Sequence, residues 1–247
     1  MAADGGLYAE LVKNRSFEFN APLMGWKEHS TTPGDGSILV LNRGEENPAN
    51  PRYVRISHIT DGAYGLSNEG FRGMGIKKDE QYHFSIWTRM HRGTGIGLRL
   101  ELVGPDGQKI ATARLKPAGG EGWQKDTVSL AAGATEPKAQ LYMWIEGQGS
   151  IDVDMVSLFP HHTWKERPGG LRADLVQLLA DMKPGFIRFP GGCIVEGRDL
   201  SNRYQWKNTV GKVEDRKLII NRWNTEFAHR LTPDYFQSFG LGFFEYF

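Results

Sequence analysis

A single cysteine, Cys193, stands in this chain of 247 residues, so no intrachain disulfide can form and cysteine usage says nothing about the redox compartment. Excess charge is equally scarce: 30 Lys and Arg against 29 Asp and Glu leave a net charge of +1. That balance removes the electrostatic case for a nucleic-acid partner or a membrane surface. No apolar run approaches the roughly 20 residues of a membrane span. The opening MAADGGLYAE has neither the basic nor the apolar region of a secretory signal. Seven histidines are present, His161 and His162 adjacent, but none falls in an HExxH or comparable ligand spacing, so they read as solvated positions.

Glycine is abundant. Among the 31 glycines, clusters fall at 62–75, 93–97, 104–107 and 147–149, a spacing that fits short strands joined by tight turns. Between them the hydrophobic pattern has period 2. Tyr82, Phe84, Ile86 and Met90 alternate with His83, Ser85, Trp87 and Arg89; Ile96, Leu98, Leu100 and Leu102 alternate with Arg99 and Glu101. Leu141, Met143 and Ile145 alternate with Gln140, Tyr142, Trp144 and Glu146. Such strands have one buried face, and several at close spacing predict a β-sandwich or jelly roll over residues 14–159. Gly104-Pro105-Asp106-Gly107 predicts a turn, because proline presets φ and Asp-Gly tolerates the reversal. Gly93-Thr94-Gly95-Ile96-Gly97 lies between two strands and not between strand and helix, so it reads as a hairpin turn instead of a nucleotide loop.

After Pro160 the rhythm changes. Leu171, Leu175, Leu178, Leu179 and Met182 recur at helical spacing, and Lys183-Pro184-Gly185 ends the pattern. A short strand over 186–189 then runs into Pro190-Gly191-Gly192-Cys193, where glycine lets backbone approach a ligand closely. An aromatic and basic segment, RYQWKNTVG at 203–211, follows. Helix, break, strand and glycine loop is α/β grammar, and the glycine loop would sit on the rim of a parallel barrel. Thr232-Pro233-Asp234 predicts a further helix start. A whole barrel takes roughly 250 residues, so the 87 residues after Pro160 supply only its first units.

The run GGLYAELVKNRSFEF, the Gly169-Gly170-Leu171-Arg172 stretch with Asp174-Leu175, FIRFPGGC, YQWKNTVG, Asn221-Arg222-Trp223-Asn224 and Phe244-Glu245-Tyr246 together resemble the family 51 glycoside hydrolases, the α-L-arabinofuranosidases. Asn14-Arg15-Ser16-Phe17-Glu18, Gly25-Trp26, Trp123 and the segment 151–158 more loosely resemble a family 4/9 carbohydrate-binding module. The resemblance implies three parts: the start of a barrel region over 1–13, a jelly-roll insert over 14–159, and truncated first βα units of a (β/α)8 barrel over 160–247. It implies a retaining hydrolase of terminal α-L-arabinofuranosyl groups, acting on arabinose-containing polysaccharide, in the periplasm or outside the cell. A first strand bearing a substrate-binding glutamate is expected upstream of Met1. Both catalytic carboxylates are expected beyond Phe247, so the chain by itself is expected to be inactive.

Carried over residue by residue, Gly191, Gly192 and Cys193 fall on the loop that contacts arabinose, and Trp223 falls on an aromatic of the same pocket. No cofactor is implied, apart from a structural Ca²⁺ at Glu18 and Asp154, as related modules hold. Two carboxylates are few for a cation that takes six to eight oxygens. Asn68-Glu69 and Asn224-Thr225-Glu226 imitate the family's acid/base pair but lie in the wrong places. Cys193 has no local base to activate it, so substrate contact or packing is read ahead of nucleophilic attack. Glu196 is read as a loop contact before a catalytic group. Trp87, Tyr142 and Trp144, on the polar sides of their strands, are candidates for a sugar-binding face; the alternative is that this face packs against the barrel. Oligomeric state is left open, as is a purely structural role for the insert.

Overall fold

A computed structural model describes residues 4–93, 95–186, 188, 191–220 and 236–246. Its strands are β1 (Trp26–Ser30), β2 (Gly36–Asn42), β3 (Arg52–His58), β4 (Tyr64–Asn68), β5 (Met74–Ile76), β6 (Gln81–Arg92), β7 (Gly97–Val103), β8 (Lys109–Leu115), β9 (Gln124–Ala131), β10 (Glu136–Glu146) and β11 (Gly149–Pro160). There follow α1 (Ala173–Asp181), α2 (Gly192–Glu196), β12 (Ile219–Ile220) and β13 (Phe236–Gln237). The chain divides into two compact units, one formed by Glu10–Glu46 and Pro51–His161, the other by the N-terminal stretch to Ala9, Asn47–Asn50 and the residues from His162.

The first unit is a β-sandwich. One sheet has the order β1-β4-β10-β7-β8, with β5 added on β10; the other has the order β2-β3-β11-β6-β9. Every strand pairing is antiparallel. Period-2 alternation sends Phe84, Ile86, Leu98, Leu100, Leu102, Leu141 and Met143 into the space between the sheets, where they are fully buried. The Gly104–Gly107 turn forms as its residues predict: Gly107 N donates to Gly104 O at 3.0 Å and Gln108 N to Asp106 Oδ1 at 3.0 Å. The 93–97 segment differs from expectation. It joins β6 and β7, which lie in opposite sheets, so it carries the chain across the sandwich and is not a hairpin turn.

A buried carboxylate ties the start of this unit to β11. Glu10 accepts from the backbone N–H groups of Val12 (3.0 Å) and Leu158 (2.9 Å) and from the Ser157 hydroxyl, with Arg15 at 3.5 Å. Burial nonetheless pushes its carboxyl above the usual range, against the pull of Arg15 and these hydrogen bonds. Nearby, β11 bulges between Asp154 and Ser157, with Met155 at φ 48°, and Val156 N donates to Arg15 O at 2.9 Å.

The second unit is loop-rich. The predicted helix is α1, and it ends before Lys183, which takes φ 48°. The expected strand over 186–189 is not formed at Phe186 or Arg188; Ile187 and Phe189 lie outside the described residues. The helix start at Thr232-Pro233-Asp234 also lies outside them, and from Phe236 the chain runs as a two-residue strand and a 3-10 turn instead of a helix. The pairing of β12 with β13 is antiparallel, so among the described residues of this unit no named strands form a parallel ladder. Arg216 organises the loops: its guanidinium donates to Phe239 O at 2.6 Å and Gly211 O at 2.8 Å and pairs with Glu245 at 2.8 Å. No described helix is long and apolar enough to cross a membrane.

Candidate carbohydrate-binding face and glycine loop

The outer face of the β1-β4-β10-β7-β8 sheet carries an aromatic and charged cluster. Two adjacent rungs cross it, His29–Gly65–Trp144–Arg99 and Lys27–Ser67–Tyr142–Glu101. Gly65 is obligatory, since a Cβ there would lie 2.1 Å from Met143 O. Its missing side chain lets the β10 backbone pack closely against β4 between His29 and Trp144. The Tyr142 and Trp144 rings stand 5.8 Å apart at an interplanar angle of 21°, and the His29 ring is 4.9 Å from Tyr142 and 6.0 Å from Trp144. All three side chains are half-buried.

Hydrogen bonds hold two of these rings, His29 and Trp144, in place. His29 Nε2 is 2.8 Å from Ser67 Oγ, and burial, with Lys27 nearby, pushes its imidazole below the usual pKa, which favours the neutral ring. Trp144 Nε1 donates to Glu101 Oε2 at 2.9 Å. Glu101 also pairs with Arg99 and with Lys109 Nζ at 2.6 Å. Burial would raise the Glu101 carboxyl, but the hydrogen bonds from Lys109 and Trp144 and the charges of Arg99 and Lys109 hold it below the usual range. Arg99 lies 5.7 Å from the Trp144 ring centre and 3.3 Å from Glu146, which Arg114 also reaches at 3.1 Å.

Trp87 does not join this cluster. It lies on β6, opposite Asp154 and Lys125, in the other sheet, whose outer face points away from the first. The alternation that put Trp87, Tyr142 and Trp144 on polar faces was correct for each strand, but two different sheets carry them. His83 and Arg89 go with Trp87, and His83 Nε2 is 2.8 Å from His161 Nδ1.

On that second face Asp152 pairs with Arg55 (2.6 Å) and Arg89 (2.9 Å), and Asp154 pairs with Arg43. Trp123 lies between the guanidinium groups of Arg43 (4.9 Å) and Arg89 (4.7 Å), edge-on to Tyr53 at 5.4 Å. Burial pushes Asp154 up to about 7, against the pull of Arg43, and Glu18 adds to the rise. Arg43 already places a positive charge on Asp154, and Glu18 Oε1 accepts from Arg52 N at 2.7 Å. Among the described residues no three His, Cys, Asp or Glu side chains are grouped to hold a metal, and a Ca²⁺ at Asp154 would have to share the carboxylate with the Arg43 guanidinium.

In the other unit, Gly191 and Gly192 adopt conformations that an L side chain resists. Gly191 has φ 71° and ψ 154°, and Gly192 has φ 51°. The turn leads into α2, which holds a half-buried Cys193, and the chain returns so that Tyr204 N donates to Ile194 O at 3.1 Å. In the following segment the Trp206 ring packs 5.3 Å from Phe243. Pro190 and Trp223 lie outside the described residues, as does Asn224-Thr225-Glu226. The other imitation, Asn68-Glu69, is structural. Asn68 Oδ1 accepts from the N–H groups of Lys13 and Gly70, its amide donates to Lys13 O at 2.9 Å, and Glu69 pairs with Lys13.

Sequence reasoning missed His29, Gly65 and Ser67, because β1 and β4 come to β10 by long-range pairing. It also missed Glu10, although a carboxylate inside the apolar run LYAELV was a readable signal.

Comparison with known proteins points first to a class, enzymes that hydrolyse glycosidic bonds. Residues 178–247 match the model of the alpha-L-arabinofuranosidase 1 domain. All of the chain aligns with an extracellular exo-alpha-L-arabinofuranosidase of Streptomyces chartreusis at 37% identity, over 29% of that protein. It aligns likewise with alpha-L-arabinofuranosidase 1 of Arabidopsis thaliana at 35% identity, over 36% of that protein. A solved arabinose-bound GH51 α-L-arabinofuranosidase superposes on 99% of the chain with a TM-score of 0.84 and 30% identity, over 39% of that structure. The family these matches support is the family 51 α-L-arabinofuranosidases. The chain spans roughly a third of the length of the curated relatives it matches.

Proposed function

We propose that this chain is a portion of a retaining α-L-arabinofuranosidase that removes terminal α-L-arabinofuranosyl groups from plant polysaccharides. The observation that carries the reading is similarity along the whole chain to an arabinofuranosidase structure, both units included, at a TM-score of 0.84. In this reading residues 160–247 contribute the first βα units of a barrel, and the sandwich is an inserted module of the family 4/9 kind. Gly191, Gly192 and Cys193 form part of the arabinose pocket, with Trp223. Their role is to hold sugar: positive-φ glycines allow backbone to lie against the ring, and Cys193 contributes a small, weakly polar contact. Retention requires two carboxylates about 5–5.5 Å apart, one as acid/base and one as nucleophile. We assign neither role to a residue of this chain.

The test is turnover of an aryl α-L-arabinofuranoside by the purified 247-residue chain, beside a fusion that continues it with the remaining barrel of a relative. No turnover by the chain and turnover by the fusion are expected. Hydrolysis by the chain alone overturns the division of labour, and an inactive but folded fusion overturns the family function.

A second reading, in which the sandwich acts as a non-catalytic carbohydrate-binding module, is favoured by one observation. Tyr142 and Trp144 stand on an outer sheet face amid hydrogen-bonding groups.

A further inference from the structure

We infer that His83 and His161 form a chelating pair for a divalent transition metal, best matched to Cu²⁺ or Ni²⁺, on the outer face of the β2-β3-β11-β6-β9 sheet. The pair shares no residue with the glycine loop or with the face that carries Tyr142 and Trp144.

Position carries the argument first. The two histidines are 78 positions apart in the chain, and the β6–β11 ladder brings them together. Pro160 pairs with Tyr82, and His161 N donates to Gln81 O at 2.7 Å, which fixes the His161 backbone at the end of β11. His83 Nε2 then lies 2.8 Å from His161 Nδ1, with the ring planes at 66° and both side chains exposed.

The tautomers come next. His83 Nδ1 is 3.0 Å from Oγ of Ser129, its cross-strand neighbour on β9. An Nδ1–H that donates to this hydroxyl leaves the lone pair on Nε2, the atom facing His161. Without metal, His161 Nδ1–H donates to that lone pair. A metal takes the place of the shared proton: His161 carries its proton on Nε2 instead, and a turn of its exposed ring brings the Nδ1 lone pair to the same point. Both ligands remain neutral imidazoles, so no net proton is lost.

Distance selects the metal. With metal–nitrogen bonds of about 2.0–2.1 Å, nitrogens 2.8 Å apart subtend roughly 85–90°. That is the cis angle of square-planar or octahedral coordination, whereas a tetrahedral ion would need the nitrogens about 3.3 Å apart. Imidazole suits Cu²⁺ and Ni²⁺, while Ca²⁺ and Mg²⁺ prefer oxygen ligands. The register neighbours Gln81, Ser85, Ser129, Ala131 and Phe159 bring no positive charge to repel the ion. The small ones among them leave room for water in the remaining coordination positions.

Titration of the untagged 247-residue chain with copper sulfate, followed by electron paramagnetic resonance, tests this. One equivalent of Cu²⁺ should bind with a square-planar spectrum coupled to two imidazole nitrogens, and excess Ca²⁺ or Mg²⁺ should not displace it. His83→Gln and His161→Gln should each weaken binding at least about tenfold and lose the two-nitrogen signal, because a single imidazole gains nothing from chelation. Ser129→Ala, which frees the His83 ring, should weaken binding about tenfold and keep that signal. His162→Gln should leave binding unchanged. Circular dichroism checks the fold of each variant, and added Ni²⁺ should raise the melting temperature of the wild type and of neither His83→Gln nor His161→Gln. Copper bound equally by the wild type and by both of those variants is adventitious and overturns the inference. Absence of copper binding overturns it too, as does a loss confined to His162→Gln.

Discussion

The two compact units treat their apolar side chains differently. In the sandwich, Phe84, Leu98, Leu100 and Leu141 have no exposure, and each sheet buries its inner face against the other. In the unit that includes the residues from His162, Met182 is 74% exposed and Phe186 83%, and α1 contains no buried residue. The difference follows from how each architecture closes. An antiparallel sandwich completes its core with strands that alternate in and out and pair within one stretch of chain. A helix of the α/β kind buries its apolar stripe only against a sheet, and among the described residues of its unit the only named ladder is the two-residue pairing of β12 with β13. The sandwich therefore reads as complete from its own residues, while the apolar stripe of α1 stays largely in solvent.

The comparison can be broken most sharply at the core. Phe84→Ala should cost about 3–5 kcal/mol, since it removes a fully buried ring between two sheets. Denaturant unfolding followed by far-UV circular dichroism measures it, and a cost under 1 kcal/mol would mean that the sandwich core is not close-packed.

A smaller effect should separate the units by pH. The Asp154 carboxyl is raised in the folded state from an ordinary value of 3.8 to about 7. A raised carboxyl gives stability that is complete below the unfolded value and is lost as pH rises through the folded one. Sandwich stability should thus fall between about pH 4 and pH 7, by up to roughly 4 kcal/mol. Asp154→Asn should flatten that slope even though it loses the charge pair with Arg43. Melting temperatures of both proteins across this range are the measurement; equal slopes would remove Asp154 as the source.

The smallest effect belongs to the other unit. Leu178 is 63% exposed on α1, so Leu178→Ser should change stability by no more than about 0.5 kcal/mol. A loss several times larger in the same unfolding experiment would show that α1 is covered in solution and would erase the contrast between the units.

Local chemistry was legible where the deciding contacts are close in sequence. The inward positions of β6, β7 and β10, the Gly104–Gly107 turn, and α1 with its stop before Lys183 follow from alternation, turn residues and helical spacing. The positive φ of Gly191 and Gly192 follows as well, since those positions carry the one residue suited to it. The motifs between 169 and 246 were specific enough to point to the arabinofuranosidase family.

Other features were decided by tertiary structure. Alternation assigns a side chain to a face of its own strand, but hydrogen-bond partners distant in sequence decide which sheet that strand enters. Trp87 and Trp144 therefore sit on opposite sheets, and His29 of β1 meets Tyr142 across β4, 113 positions away in the chain. Glu10 becomes a buried acceptor for Leu158 for the same reason, and Arg43, 111 positions away, comes to pair with Asp154. Sequence by itself determined what each strand, turn and helix would be and which way its side chains would point. Only the packed sheets decided which of those side chains would share a site, because pairing between distant strands is a property of the whole core and of no single segment.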